Sequence, residues 1–233
     1  MMISVHQPQY LPWLGYFDKI AKSDCFVVLD KVQYKPREFQ NRNRIRTRDG
    51  VIWLTVPVVC KGKHKQGICD AVIDNEFPWQ RQHCNSLKAW YGRAPFFNDY
   101  FPFFEAVYSK RWEKLSDLNI HIIRYILEAL AISTPIRFES ELDIRAEATG
   151  RIIDICKALG ADTYLSGSGG KAYLEEDKFG DSGIKLVYQE FHHPAYRQQF
   201  MPDEKDFLPY MSIVDLLFNE GPKSREILLQ KEI

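Results

Sequence analysis

The pattern of apolar and polar positions opens with ISVHQP, a short strand-like run ended by Pro8, and passes into LGYFDKIAKSD, whose apolar residues recur at helical spacing. CFVVLD follows as a continuous apolar run, too apolar to have a face in water, and reads as a central parallel strand covered on both sides. This is a βαβ beginning. A basic, Asn-rich stretch, KVQYKPREFQNRNRIRTRDG, leads to VIWLTVPVV, another predicted strand, and AVID is a candidate for one more. From Pro78 to about Ile132 the pattern changes: WQRQHCNSLKAWYG, FFNDYFPFFEAVY and KLSDLNIHIIRYILEALAI set apolar residues three and four apart, which predicts helices. After PIRFES the α/β rhythm returns. TGRIIDICKALG predicts a helix stopped at Gly160 and ADTYLSG a strand, while SGSGG is a loop and KAYLEED the start of a helix. IKLVYQEF is a late strand, and MSIVDLLFNEG a helix ended by Gly221 and Pro222.

Strands alternating with helices, broken by one helical block, predict an α/β chain: a three-layer α/β/α sandwich on a mostly parallel sheet. A single α/β domain over 1–233 is expected, with the helical, aromatic-rich segment at about 78–132. Aromatics from Trp79 to Trp112 in that segment suit either a packing core or the lining of a ligand cleft.

Composition narrows the partners. Lys plus Arg (31) balances Asp plus Glu (31), so no global field draws the chain to nucleic acid or to an anionic membrane. No apolar run approaches the ~20 residues needed to cross a bilayer. The N-terminal MMISVHQPQYLPW lacks the basic and apolar regions of a signal peptide, so a cytoplasmic protein is expected. The cysteines number 5, odd and unevenly spaced, and reduced thiols are the expectation, with Cys25 an ordinary buried one. Cys60, His64, Cys69, His83 and Cys84 could supply zinc ligands, but no metal-binding spacing joins them, so no metal site is assigned and the cofactor stays unknown.

In parallel sheets the ligand sits beyond the carboxyl ends of the strands. His6 to Tyr10, Asp30 to Asn43 and Ser166 to Gly170 each follow a predicted strand, so these loops should converge on one rim, with His6, Asp30, Asn41 and Ser168 lining one cavity. His6, beside Gln7 and ahead of Tyr10, could act as general acid or base, or equally serve structure. In TYLSGSGGKAYL the glycines admit a close backbone approach, and a following helix would aim free N–H groups at an anion. Ser166, Ser168, Gly169 and Gly170 are therefore candidates for a phosphate cradle, with Tyr173 beside it. A Walker loop would need Gly in place of Leu165 and Ser or Thr in place of Ala172, and the same glycines also fit a plain turn. Lys35, Arg37, Arg42, Arg44, Arg46 and Arg48, interleaved with Asn41 and Asn43, read as a phosphate or carboxylate clamp or as a solvated charged loop. His192 and His193 follow another strand and are weaker candidates. No Ser-His-Asp order, G-x-S-x-G elbow or H-E-x-x-H is present.

HQPQYLPWLGYFDKI, FVVLDKVQYKPREFQNRNRI with WLTVPV, and ADTYLSGSGGKAYL with MSIVDLLFNEG together resemble the WbqC-like family, from near Met1 to about Gly221. The resemblance implies a role in bacterial surface-polysaccharide (O-antigen) biosynthesis, with acyl or aminoacyl transfer to the amine of a nucleotide-linked amino sugar. On that reading His6 is the base or acid, and Ser166, Ser168, Gly169 and Gly170 hold a phosphate or an oxyanion. Gln7, Tyr10, Asp30, Lys35, Asn41, Arg42, Asn43 and Tyr173 would bind substrate. The expected partners are small molecules, a sugar nucleotide together with a carrier-bound or nucleotide-activated donor. A second resemblance concerns the fold: P-x-x-x-P-W-L-G-Y-F-D-K-I looks like the first loop of adenylyl-transferring, Rossmann-like enzymes with an H-x-G-H motif. Trp13 and Tyr16 stand where its histidines would be and only Gly15 fits, which implies a nucleotide-shaped pocket with altered chemistry. A non-catalytic binding module and a nucleotidyltransferase-like enzyme are the alternatives.

Overall fold

The structure is a computed structural model that describes residues 1–63 and 65–230. In chain order it runs β1 (Met2–His6), α1 (Leu14–Ala21), β2 (Cys25–Val28), β3 (Arg42–Thr47) and β4 (Gly50–Thr55). Three helices follow, α2 (Trp79–Tyr91), α3 (Phe97–Ser109) and α4 (Leu115–Ala129), then β5 (Ile136–Phe138) and α5 (Ala148–Ala158). The chain finishes with β6 (Thr163–Ser166), α6 (Glu176–Asp181), β7 (Lys185–Tyr188), α7 (Ile213–Glu220) and α8 (Ser224–Leu229).

The main sheet has the order β5-β2-β1-β6-β7, with every neighbouring pair parallel. Strand residues alternate between two cores, as the period of two demands. Ile3, Val5, Cys25 and Val27 pack with Ile152, Ile155, Cys156 and Phe179 from α5 and α6. Phe26 and Val28 pack on the other side with Leu14, Phe17 and Ile20 of α1 and with the α4 isoleucines. This is the predicted α/β/α sandwich on a parallel, Rossmann-like sheet. Buried Trp79, Tyr91, Phe97, Phe104 and Tyr108 show the helical block's aromatics to be chiefly core. No described helix is long and apolar enough to cross a membrane.

Three expectations change. VIWLTVPVV does not join the main sheet: β4 pairs antiparallel with β3, and β3 lies inside the basic stretch. Its inward positions include Asn43, fully buried, so the usual apolar signal of a strand is missing there. AVID forms isolated bridges, Val72 with Lys114 and Ile73 with Val58, and PIRFES supplies β5. The glycine loop opens no α-helix: Ser168–Ala172 is a 3-10 turn, and α6 begins later, at Glu176.

Candidate functional site

The strand order reverses its direction of growth between β1 and β6, with β2 and β5 on one side and β6 and β7 on the other. Such a switch point leaves a crevice beyond the carboxyl ends of the two strands, because their connections leave to opposite faces. A cavity of about 650 Å³ lies there. His6 from the end of β1, Gly167, Ser168 and Gly169 after β6, and Gln189 to His192 after β7 line it, and Gly15, Tyr16 and Lys19 of α1 form a further side.

Lys19 is 2% exposed, and its Nζ donates to the Val5 carbonyl at 3.2 Å. Burial without a counter-charge pulls its ammonium down to about 7. Gly167 is the glycine that approaches this amine: a Cβ there would lie 4.0 Å from Nζ. His6 Nδ1 faces the Gln7 carbonyl at 3.1 Å, and since a carbonyl only accepts, Nδ1 carries the proton and Nε2 keeps its lone pair. Burial, then the Lys19 charge, push His6 down to about 3, so the ring is neutral at ordinary pH. At neutral pH a Lys19 amine near its midpoint and a neutral imidazole thus share one cavity.

The aromatic wall is built by close packing. Trp13 meets Phe191 edge-on at 5.3 Å and Tyr210 at 5.6 Å, and Tyr16 meets His6 edge-on at 5.0 Å. The indole lies directly over Gly15, where a Cβ would come within 2.2 Å of the ring. Gln189 ties the β7 end to α1, donating from Nε2 to the Gly15 carbonyl at 2.9 Å and to Asp18 Oδ2 at 2.6 Å. Tyr16 spends its hydroxyl on the Gln7 carbonyl at 3.2 Å. Where the H-x-G-H resemblance puts phosphate-binding histidines, this cavity therefore has Trp13 and Tyr16 as wall.

Of the residues singled out from sequence, His6, Ser168, Gly169 and the weaker candidate His192 come together in the cavity. Ser166 is buried, and its Oγ donates to the Gly167 carbonyl at 3.1 Å. Gly170 is buried against it, with no room for a side chain, and Tyr173 is an exposed ring outside the lining. The expected single rim of His6, Asp30, Asn41 and Ser168 does not form. Asp30 borders a separate cavity beyond β2 and β5, where Ser140 donates to its carboxylate from N (3.0 Å) and Oγ (2.6 Å). Asn41 and Asn43 are buried staples, donating to the carbonyls of Val56 (2.8 Å) and Leu11 (2.7 Å). The Arg42 guanidinium stacks on Trp53 at 4.3 Å, and Lys35 is exposed with its amide on Gln40 Oε1. Gln7 Oε1 accepts from Gln40, and Tyr10 is fully buried with its hydroxyl against His83 and Tyr108. These residues hold the hairpin and the β1–α1 loop in place, and the stretch from Lys35 to Arg48 is neither a clamp at this cavity nor a bare loop.

Lys19 was the residue missed. Its signal in the sequence is a lysine between Phe17 and Ile20 in a helix with little polar face, where a cation needs a reason to be. Gln189 and Phe191 follow a strand end and are legible by the same rule that selected His192. All five cysteines are free, and among the described residues no three His, Cys, Asp or Glu side chains gather as metal ligands. His64 lies outside the described residues.

Comparison with known proteins agrees along almost the whole chain. Uncharacterized protein Rv1507c of Mycobacterium tuberculosis is 33% identical over 227 residues, covering 97% of this chain and 96% of that protein. No solved structure matches. A model of the WbqC-like protein family matches residues 7–227, a span that holds every residue lining the first cavity except His6, and the chain belongs to the WbqC-like protein family.

Proposed function

We propose that the protein transfers an acyl or aminoacyl group to the amine of a nucleotide-linked amino sugar, as part of bacterial surface-polysaccharide biosynthesis. Family membership suggests the biosynthetic setting. The observation that carries the reaction class is that a buried Lys19 amine, brought down to about 7, and a neutral His6 line the same switch-point cavity.

The neutral amine of the acceptor attacks the carbonyl carbon of a thioester or acyl adenylate, and a C–N bond forms as the carbonyl oxygen becomes an oxyanion. Lys19 faces that charge with the N–H groups not bound to Val5, and the Ser168 hydroxyl and Gly169 peptide border the same space. His6 Nε2 takes the proton released by nitrogen. Collapse breaks the C–S or C–O bond, and the leaving group carries that proton away. Trp13, Phe191 and Tyr210 supply apolar walls that limit water, the competing nucleophile.

A carrier without turnover is the second reading, favoured by the low basicity that burial gives His6. Incubating pure protein with amino-sugar nucleotides and either thioester or adenylate donors separates the two. A product heavier by the acyl group supports transfer. Binding of both substrates without product supports the carrier.

A further inference from the structure

A second cavity, of about 490 Å³, lies beyond β2 and β5. His6 pairs with Val28 across the β1–β2 ladder, and Val28 lines the second cavity, so the two cavities open over adjacent strands at one register. Its walls carry an unusual mixture of charges. Lys110, the residue just after α3, lies over the Trp112 ring at 4.3 Å, and Arg124 of α4 lies over Phe138 at 5.9 Å. Neither cation has an ion-pair partner among the described residues. His121, one turn before Arg124 on α4, sits 5.1 Å from Trp112, and burial and both cations lower its pKa. Asp117, a turn earlier still, and Asp30 from the β2 end add two carboxylates.

Unpaired cations lying over rings around a hollow are available to an anion, since no salt bridge must break before binding. Two carboxylates beside them exclude a plain anion hole, because they repel an ion that offers only charge. They suit a ligand with hydroxyl donors next to its anionic group, while Trp112 and Phe138 suit its C–H faces. We propose that this cavity is a second binding site, for a phosphorylated sugar: Lys110 and Arg124 take the phosphate, and Asp117 and Asp30 accept from the sugar hydroxyls. The assignment stands on this cavity alone and does not depend on acyl transfer at His6.

Calorimetric titration of the full chain with glucose 1-phosphate, glucose and inorganic phosphate tests it. Glucose 1-phosphate should bind more tightly than either part. Lys110→Met and Arg124→Met should each weaken it at least about tenfold, because each removes a charge-assisted contact. Asp117→Asn should weaken glucose 1-phosphate and spare inorganic phosphate. The three side chains are exposed and sit on two elements, so matched melting curves exclude a common loss of fold. Unchanged affinity in both cation variants overturns the proposal. So does a loss that follows Ser168→Ala instead, which moves the ligand to the first cavity, and so does the absence of binding by glucose 1-phosphate.

Discussion

Lys19 is an ammonium side chain with almost no water around it, and that costs stability at neutral pH. Its folded pKa, about 7, lies below the ordinary 10.5, so between those values the unfolded chain holds a proton that the folded chain does not. The penalty is therefore full below about 7 and is relieved as pH rises toward 10.5. Lys19→Met keeps the volume and removes the penalty. It should leave the melting temperature equal or higher at pH 7 while transfer, or ligand binding, at the first cavity is lost, and wild-type turnover in this variant would exclude Lys19 from the site. Asn43 behaves in the opposite way. It is fully buried, donating from Nδ2 to the Leu11 carbonyl and accepting from the Arg44 amide at 2.8 Å. Asn43→Ala leaves both backbone groups short of a partner and should cost about 1–3 kcal/mol in urea unfolding. Ligand affinity at the first cavity should not change, because Asn43 works as a staple.

At the scale of elements, α1 and the β6 turn decide whether the first cavity exists. Gly15→Ala ought to favour the helix by about 1 kcal/mol on propensity alone. The new Cβ, however, would stand 2.2–2.6 Å from three atoms of the Trp13 ring, and overpacking of that kind costs about 1–3 kcal/mol. Sterics should win: the variant melts lower, its tryptophan fluorescence shifts as the indole leaves the wall, and affinity falls. A stabilised variant with unchanged fluorescence would show that the indole does not rest on Gly15. The β6 turn is built the same way, since a Cβ on Gly170 would meet Ser166 Oγ at 2.1 Å and Leu174 Cδ1 at 2.9 Å. Its glycines read in the sequence as a ligand loop. Packing on Ser166 explains Gly170, while Gly167 and Gly169 are the ones that border the cavity.

For the whole molecule the buried histidines set the acid limit. Burial pushes both His6 and His83 down to about 3, against an ordinary 6.5. From 6.5 down to 3 the unfolded chain takes up protons that the native chain refuses, so stability should fall as pH drops through that window. Asp215 acts against this at the acid end: burial raises its carboxyl, which receives hydrogen bonds from Tyr91, Tyr196 and Gln198. Denaturant unfolding at several pH values checks the balance. The slope should be positive between pH 4 and 6.5 and should shrink in His83→Asn. An unchanged slope in that variant would mean His83 titrates normally.

Read alone, the sequence identifies four strands of the main sheet (β1, β2, β6 and β7), the helical block and the family. CFVVLD is apolar throughout, as a strand covered on both faces must be, IHIIRYILEALAI repeats at helical spacing, and the rule of carboxyl ends points to His6 and the SGSGG loop. Tertiary structure decided what each polar residue does. Asn41, Asn43 and Tyr10 have the look of ligand contacts, but their partners are two carbonyls, a hydroxyl and the His83 imidazole, brought together from distant parts of the chain. Lys19 looks like a solvated helix lysine until α1 is laid against β1 with Val5 as its acceptor. The β3–β4 hairpin was hidden for the same reason: its buried positions use asparagine, and hydrogen bonding in place of apolar burial leaves no period to read.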